Sequence, residues 1–146
     1  MSISLWTRFK HFIDTNVLIY AHDRDAGHKR ERAALLLRGL WGSQAGVLSI
    51  QVLQEFFVNV TRKIPQPLSP ATARGLIGAY GVWQIEIPTV TTVLHAAEIQ
   101  GRHPLSFWDG MIVATALSGG AEVLLSEDLS HGQVIEGVRV ESPFLH

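Results

Sequence analysis

Four acids carry the chemically informative positions of this chain. Asp14 follows the apolar pair Phe12-Ile13 and precedes an apolar stretch at 17–21, and Asp128 closes Leu124-Leu125-Ser126-Glu127. Asp109 lies just inside the apolar segment that opens at Ser106, and Glu55 sits on the polar side of a helical pattern. Each has a plain structural use: Asp14 or Thr15 can cap a helix, and Ser106 with Asp109 three residues on resembles a capping box with aspartate in place of glutamate. Chemistry requires that the acids meet, with a cation to offset their repulsion.

The elements that would position them are legible from apolar periodicity and from breakers. A short strand at Phe12-Ile13 leads to a helical turn at 17–21, a polar break spans 23–27, and a helix is expected over 28–42 with Ala33, Ala34, Leu36, Leu37 and Leu40 inward. A strand at 46–49 ends on Ser49, which can cap a helix over 50–64 that Pro65 and Pro67 stop. Leu53, Phe56, Phe57, Val60 and Ile64 form the core stripe of that helix, while Gln51, Glu55, Asn59 and Arg62 fall opposite, as a solvent face or as the wall of a polar cleft. Ser69-Pro70 starts a helix to Tyr80, a strand follows over 82–87, and a helix over 89–100. The helix from Ser106 is the most apolar and should be buried, with Trp108 expected in the core; an apolar strand at 121–125 and a weaker one at 138–141 complete the chain. Helices alternating with uniformly apolar strands predict an α/β fold with a mainly parallel sheet.

Composition narrows the function classes. At 146 residues, with 47% hydrophobic residues, the chain reads as one domain over 1–146 with a short N-terminal extension at 1–10, and the apolar surplus hints at a partner or a second copy. No run approaches the roughly 20 apolar residues of a membrane span, and the N-terminus lacks the pattern of a secretory signal, so a soluble, cytoplasmic protein is expected. The absence of cysteine removes disulfides, thiolate metal sites and cysteine nucleophiles. A net charge of −1 excludes a broadly basic nucleic-acid-coating protein but leaves room for local patches, such as Arg24, His28, Lys29, Arg30 and Arg32, which Asp23, Asp25 and Glu31 partly neutralise, or Arg62 and Lys63; each cluster by itself reads as a solvated helix face.

In an open parallel sheet, ligands bind beyond the carboxyl ends of the strands. Asp14 and Asp128 each follow a strand directly, and Asp109 starts the helix that feeds the second of these strands, so topology places all three near one rim. Glu55 starts near that rim too, in the third helix. Carboxylates facing one another imply a divalent cation, and oxygen-only ligands suit Mg²⁺ or Mn²⁺ rather than zinc.

Taken together, Phe12-Ile13-Asp14-Thr15-Asn16-Val17-Leu18, Glu55, Phe107-Trp108-Asp109-Gly110-Met111 and Leu124-Leu125-Ser126-Glu127-Asp128-Leu129 resemble the PIN-domain family, and within it the VapC-like ribonuclease toxins of toxin–antitoxin pairs. The resemblance implies a three-layer PIN-like fold and a metal-dependent endoribonuclease, with Asp14, Glu55, Asp109 and Asp128 as the Mg²⁺ or Mn²⁺ ligands. Asn16 and Ser126 match the supporting polar positions. It further implies an RNA substrate, a cognate antitoxin and often a homodimer. Three departures stand out: the stretch before the first strand is longer than usual, Gly110 follows Asp109 where a larger residue is common, and Glu127 adds an acid beside Asp128, which is favoured as ligand for its spacing from Ser126. Basic residues expected to hold the RNA backbone are Arg24, Lys29, Arg30, Arg62 and Arg102. The alternatives are a PIN-domain nuclease without an antitoxin, a non-catalytic RNA-binding domain, and an aspartyl-phosphate phosphatase, which wants an acid where Asn16 stands.

Overall fold

β1 (His11–Ile13) runs straight into α1 (Thr15–Tyr20), because Asp14 between them keeps extended backbone while accepting the first helical N–H. A computed structural model describes residues 8–145; most of the expected N-terminal extension lies outside them. After α1 come α2 (His28–Ser43), β2 (Gly46–Ser49), α3 (Ile50–Arg62), α4 (Pro70–Tyr80), β3 (Gln84–Glu86), α5 (Val90–Arg102), α6 (Phe107–Ser118), β4 (Val123–Leu125), β5 (Val134–Ile135) and β6 (Val138–Glu141). The caps follow from sequence: Ser49 Oγ accepts from Val52 N and Ser69 Oγ from Thr72 N, each at 3.1 Å, with Pro70 opening α4. The expected strand at 82–87 shrinks to three residues, and Ile64 lies beyond α3 yet stays buried.

The six strands form one sheet in the order β3-β2-β1-β4-β6-β5, parallel except for the β5–β6 pair. β5 has only two residues, too few to show a period. Its hairpin turns on Glu136 and Gly137, with φ of 51° and 92°, and Ile135 pairs with Val138 across them. Two positive φ values in a two-residue loop match the twist of the flanking strands.

The strand order fixes where a site can form. From β1 the chain steps outward to β2 and β3, then returns past β1 to β4 and moves the other way to β6. Right-handed crossovers place the connections of these two directions on opposite faces of the sheet. The helices divide accordingly: α1 packs on α2 and α3, and α3 on α4, while α5 and α6 form a separate tight pair. The direction reverses between β1 and β4, so the crevice for a ligand opens between the carboxyl ends of these two strands.

The core is continuous through both layers, from Phe12, Val17 and Leu18 to Phe56 and Val60 on one side and Val113, Leu124 and Val140 on the other. α6 is buried from Gly110 through Ala116, as its lack of a polar face predicts. Among the described residues, no helix is long and apolar enough to cross a membrane.

Candidate active site

The crevice is built around Asp14. Its N–H donates to Leu125 O at 3.0 Å, which ties the exit of β1 to the exit of β4. Its carboxylate accepts from Thr15 N at 2.8 Å on one oxygen and from Ser126 Oγ at 2.9 Å on the other. Ser126 is fully buried, and its Oγ accepts from the N–H groups of Asp128 (3.2 Å) and Leu129 (3.4 Å), so one hydroxyl shapes the turn that presents Asp128. Asn16 Nδ2 donates to Asp128 Oδ2 at 3.1 Å. On the other flank Thr15 Oγ1 donates to Glu55 Oε2 at 2.8 Å and Gln51 Nε2 to Glu55 Oε1 at 2.9 Å. The polar side of α3 therefore faces α1 at Glu55, a cleft wall rather than an uncommitted solvent face.

Electrostatics at Asp14 are unfavourable for an anion. Burial, opposed by the hydrogen bonds from Ser126 and Thr15 and reinforced by the charges of Asp128 and Glu55, pushes its carboxyl up to about 6. A half-buried carboxyl facing two other acids, each supplied by a different element, marks a candidate functional site.

Asp109 stands in the first turn of α6, where its N–H donates to Ser106 Oγ at 3.1 Å. Only this half of the capping box forms: among the described residues the Asp109 carboxylate accepts no hydrogen bond and remains uncommitted. α-Helix from Asp109 to Gly119 rises about 15 Å and extended chain from Ala121 to Ser126 about 16 Å, matched lengths that would put Asp109 near the level of Ser126 across the Gly119-Gly120 turn. The small residue after Asp109 has a local cause. A Cβ on Gly110 would lie 2.9 Å from the backbone oxygen of Ala96, because α5 packs directly against this point of α6.

Glu127 faces elsewhere. Its carboxylate takes the Tyr20 hydroxyl at 2.7 Å and an ion pair from Lys29. Partial burial works against ionisation, yet the Lys29 and Tyr20 hydrogen bonds and the Lys29 charge hold it below the usual carboxylate range. Lys29, expected to grip RNA, is therefore spent on Glu127, and Arg102 likewise pairs with Glu136 at 2.5 Å. Trp108 corrects another expectation: it is not core but 66% exposed beside Asp109, touching Phe107 edge-on. The helix start turns its side chain outward while the burial of α6 begins at Gly110. His22 lies among core aromatics, within 2.7 Å of the Tyr80 hydroxyl and edge-on to Phe56, and has no place in the site.

The donors suit a hard divalent ion, since all are carboxylate oxygens and each Asp14 oxygen takes one hydrogen bond and keeps a further lone pair. Among the described residues, no three acid or histidine side chains are close enough in this arrangement to enclose an ion. Asp14 and Ser126 are the fixed parts; closure falls to Glu55, Asp109 and Asp128, whose side chains are exposed or half-buried.

The fold has well-matched relatives among solved structures. VapC20 of Mycobacterium tuberculosis, a sarcin–ricin-loop-cleaving toxin, is 22% identical, with a TM-score of 0.62 over 82% of this chain and 90% of its own. A toxin–antitoxin complex from Klebsiella pneumoniae gives 21% identity and a TM-score of 0.69, and DNA-bound VapBC from Salmonella typhimurium 21% and 0.63, each over 92% of this chain and 98% of theirs. No curated protein sequence matches significantly. The PIN-domain sequence pattern matches residues 11–135, from the first residue of β1 to the last of β5, and the chain belongs to the PIN-domain family.

Proposed function

We propose that this chain is a metal-dependent endoribonuclease and the toxin of a toxin–antitoxin pair. The observation that carries this reading is the half-buried carboxyl of Asp14, held by Thr15 and Ser126 and raised to about 6 beside Asp128 and Glu55 at the mouth of the sheet. Asp14, Glu55, Asp109 and Asp128 would hold one or two Mg²⁺ or Mn²⁺ ions, which supply Lewis-acid polarisation of a scissile phosphate and a more acidic attacking water.

The residues themselves do the positioning. Ser126 orients Asp14 by donating to it, and Asn16 orients Asp128 in the same way, the support that ligand carboxylates need. Thr15 and Gln51 aim Glu55. Asp109, whose carboxylate is uncommitted, is the acid suited to orient the nucleophilic water and take its proton. Trp108, exposed beside it, offers a face on which a base can stack.

The toxin role rests on the fold relatives, two of which are complexes described as VapBC or toxin–antitoxin. A cognate antitoxin and a second copy of the chain are the partners this reading assigns. Exposed apolar side chains such as Ile50, Val58, Val90 and Leu94 support surfaces of that kind. The test is hydrolysis of RNA by the purified protein with Mg²⁺, set beside Asp14→Asn and Asp109→Asn. Both variants are expected to lose activity by about 100-fold or more. Equal activity in all three proteins would overturn the site.

A further inference from the structure

Several cationic side chains of this protein are engaged by partners. Lys29 pairs with Glu127, Arg102 with Glu136 and Arg139 with Glu141, and Arg32 donates to Pro143 O. Among the described residues, Arg24, Arg30 and Arg38 make neither a hydrogen bond nor an ion pair, yet they line one cavity of about 400 Å³ together with Gly27, Glu31 and Ala34. Positions 27, 30, 31, 34 and 38 recur at helical spacing and form a stripe on α2 turned away from its buried face of Ala33, Leu36, Leu37 and Leu40. Arg24 joins them from the loop after α1.

We propose that this stripe binds the phosphodiester backbone of single-stranded RNA and guides it to the acidic crevice. The inference rests on the nuclease reading and adds where the substrate is held. An acidic site repels a polyanion, so the backbone must be gripped nearby, and the chain's net charge of −1 gives no general attraction. Three guanidinium groups that share a cavity with one acid, Glu31, repel one another and gain most from an anion that each can fork. Arg30 and Arg38 stand eight residues apart, about 12 Å along the helix, a line rather than a point. The groove fits a strand better than a protein segment, since Ala34 is its only apolar side chain and protein hot spots need an apolar anchor.

The helix that carries the stripe begins beside the turn that presents Asp128. Lys29, beside Arg30 in sequence, bonds to Glu127, the neighbour of Asp128, and Asn16 of α1 bonds to Asp128 itself. The start of α2, one residue before Arg30, is therefore tied to the neighbour of a proposed ligand.

The experiment measures binding without turnover. Wild-type protein in EDTA is titrated against a fluorescein-labelled, unstructured RNA oligonucleotide by anisotropy at several salt concentrations, with labelled poly-glutamate as a second probe that stands for an acidic protein segment. It is compared with Arg24→Gln, Arg30→Gln, Arg38→Gln and the triple variant, with Arg74→Gln on exposed α4 as a control for removal of one charge. Each single variant is expected to weaken RNA binding about 3- to 10-fold, and the triple variant to lower the log–log salt slope by about 2, near 0.7 for each phosphate no longer neutralised. Arg74→Gln should bind like wild type. A triple variant with unchanged RNA affinity and slope, or one no weaker than the control, overturns the proposal, as does a triple variant that loses poly-glutamate but keeps RNA. Because cleavage is not the readout, a protein that binds through the stripe but never cuts RNA sinks the nuclease reading and leaves this one standing. A protein that cuts RNA with an indifferent stripe does the reverse.

Discussion

At the scale of single residues, Asp14 is both a helix cap and an electrostatic liability. Its carboxyl, ordinarily near 3.8, is raised to about 6 in the fold, so between these values the folded protein holds a proton that the unfolded chain has released. Stability of the metal-free protein therefore falls as pH rises through that window, and the full penalty, about 2–3 kcal/mol, stands at pH 7–8. Asp14→Asn keeps the shape and the acceptor for Thr15 N but removes the charge. In EDTA at pH 8 it is expected to unfold at a higher denaturant midpoint than wild type, with the gap closing by pH 4; a gap independent of pH would refute the raised pKa. The neighbouring pair of acids separates by partner. Glu127 is occupied by Lys29 and Tyr20, whereas Asp128 is presented by Ser126 and Asn16. Glu127→Gln should keep RNA cleavage within about 3-fold and lose at most about 1 kcal/mol of stability, since its ion pair is partly exposed. Asp128→Asn should cost cleavage about 10–100-fold or more. The reverse ranking would transfer the ligand role to Glu127.

At the scale of elements, α6 carries the closest tolerance in the site. Asp109 is carried by a helix packed so closely on α5 that a Cβ at Gly110 would lie 2.9 Å from the backbone oxygen of Ala96. Gly110→Ala is expected to destabilise by about 1–3 kcal/mol, the range for overpacking, and to lower cleavage further than the thermal loss explains by shifting Asp109. An unchanged melting temperature would mean that the two helices separate freely. These elements were legible in the sequence to differing degrees. The caps at Ser49, Ser69 and Ser106 and the stripe of α3 were readable because they depend on local spacing alone. β5 was not, having two residues and no period, nor was the exposure of Trp108, since an indole at the start of a buried helix can turn either way. Periodicity placed Glu55 opposite the core of α3 but could not say that Thr15 would reach it, a contact between residues 40 apart in sequence.

At the scale of the whole molecule, the strand order brings acids from distant parts of the chain to one crevice, where in the proposed reading a cation would offset their repulsion. Sequence could argue the shared rim from the strand-end positions of Asp14 and Asp128; it could not give the reversal between β1 and β4, which is a property of pairing. The arrangement links metal binding to stability through the same charges. A Mg²⁺ ion that binds only the folded chain adds about 2.7 kcal/mol at a hundred times its dissociation constant, or about 5–10 °C in melting temperature for a domain of this size. Protons compete for Asp14, so the gain should shrink as pH falls from 8 toward 5, where that carboxyl holds its proton. Asp14→Asn loses its lead when metal is added. More stable than wild type in EDTA at pH 8, it should gain little from Mg²⁺, so wild type draws level with it. Melting curves of both proteins, with EDTA and with Mg²⁺ at pH 8 and pH 5, contain the whole test. An equal Mg²⁺ shift in wild type and Asp14→Asn would remove Asp14 from the ligands, and a shift of equal size at both pH values would show that the ion binds away from the raised carboxyl.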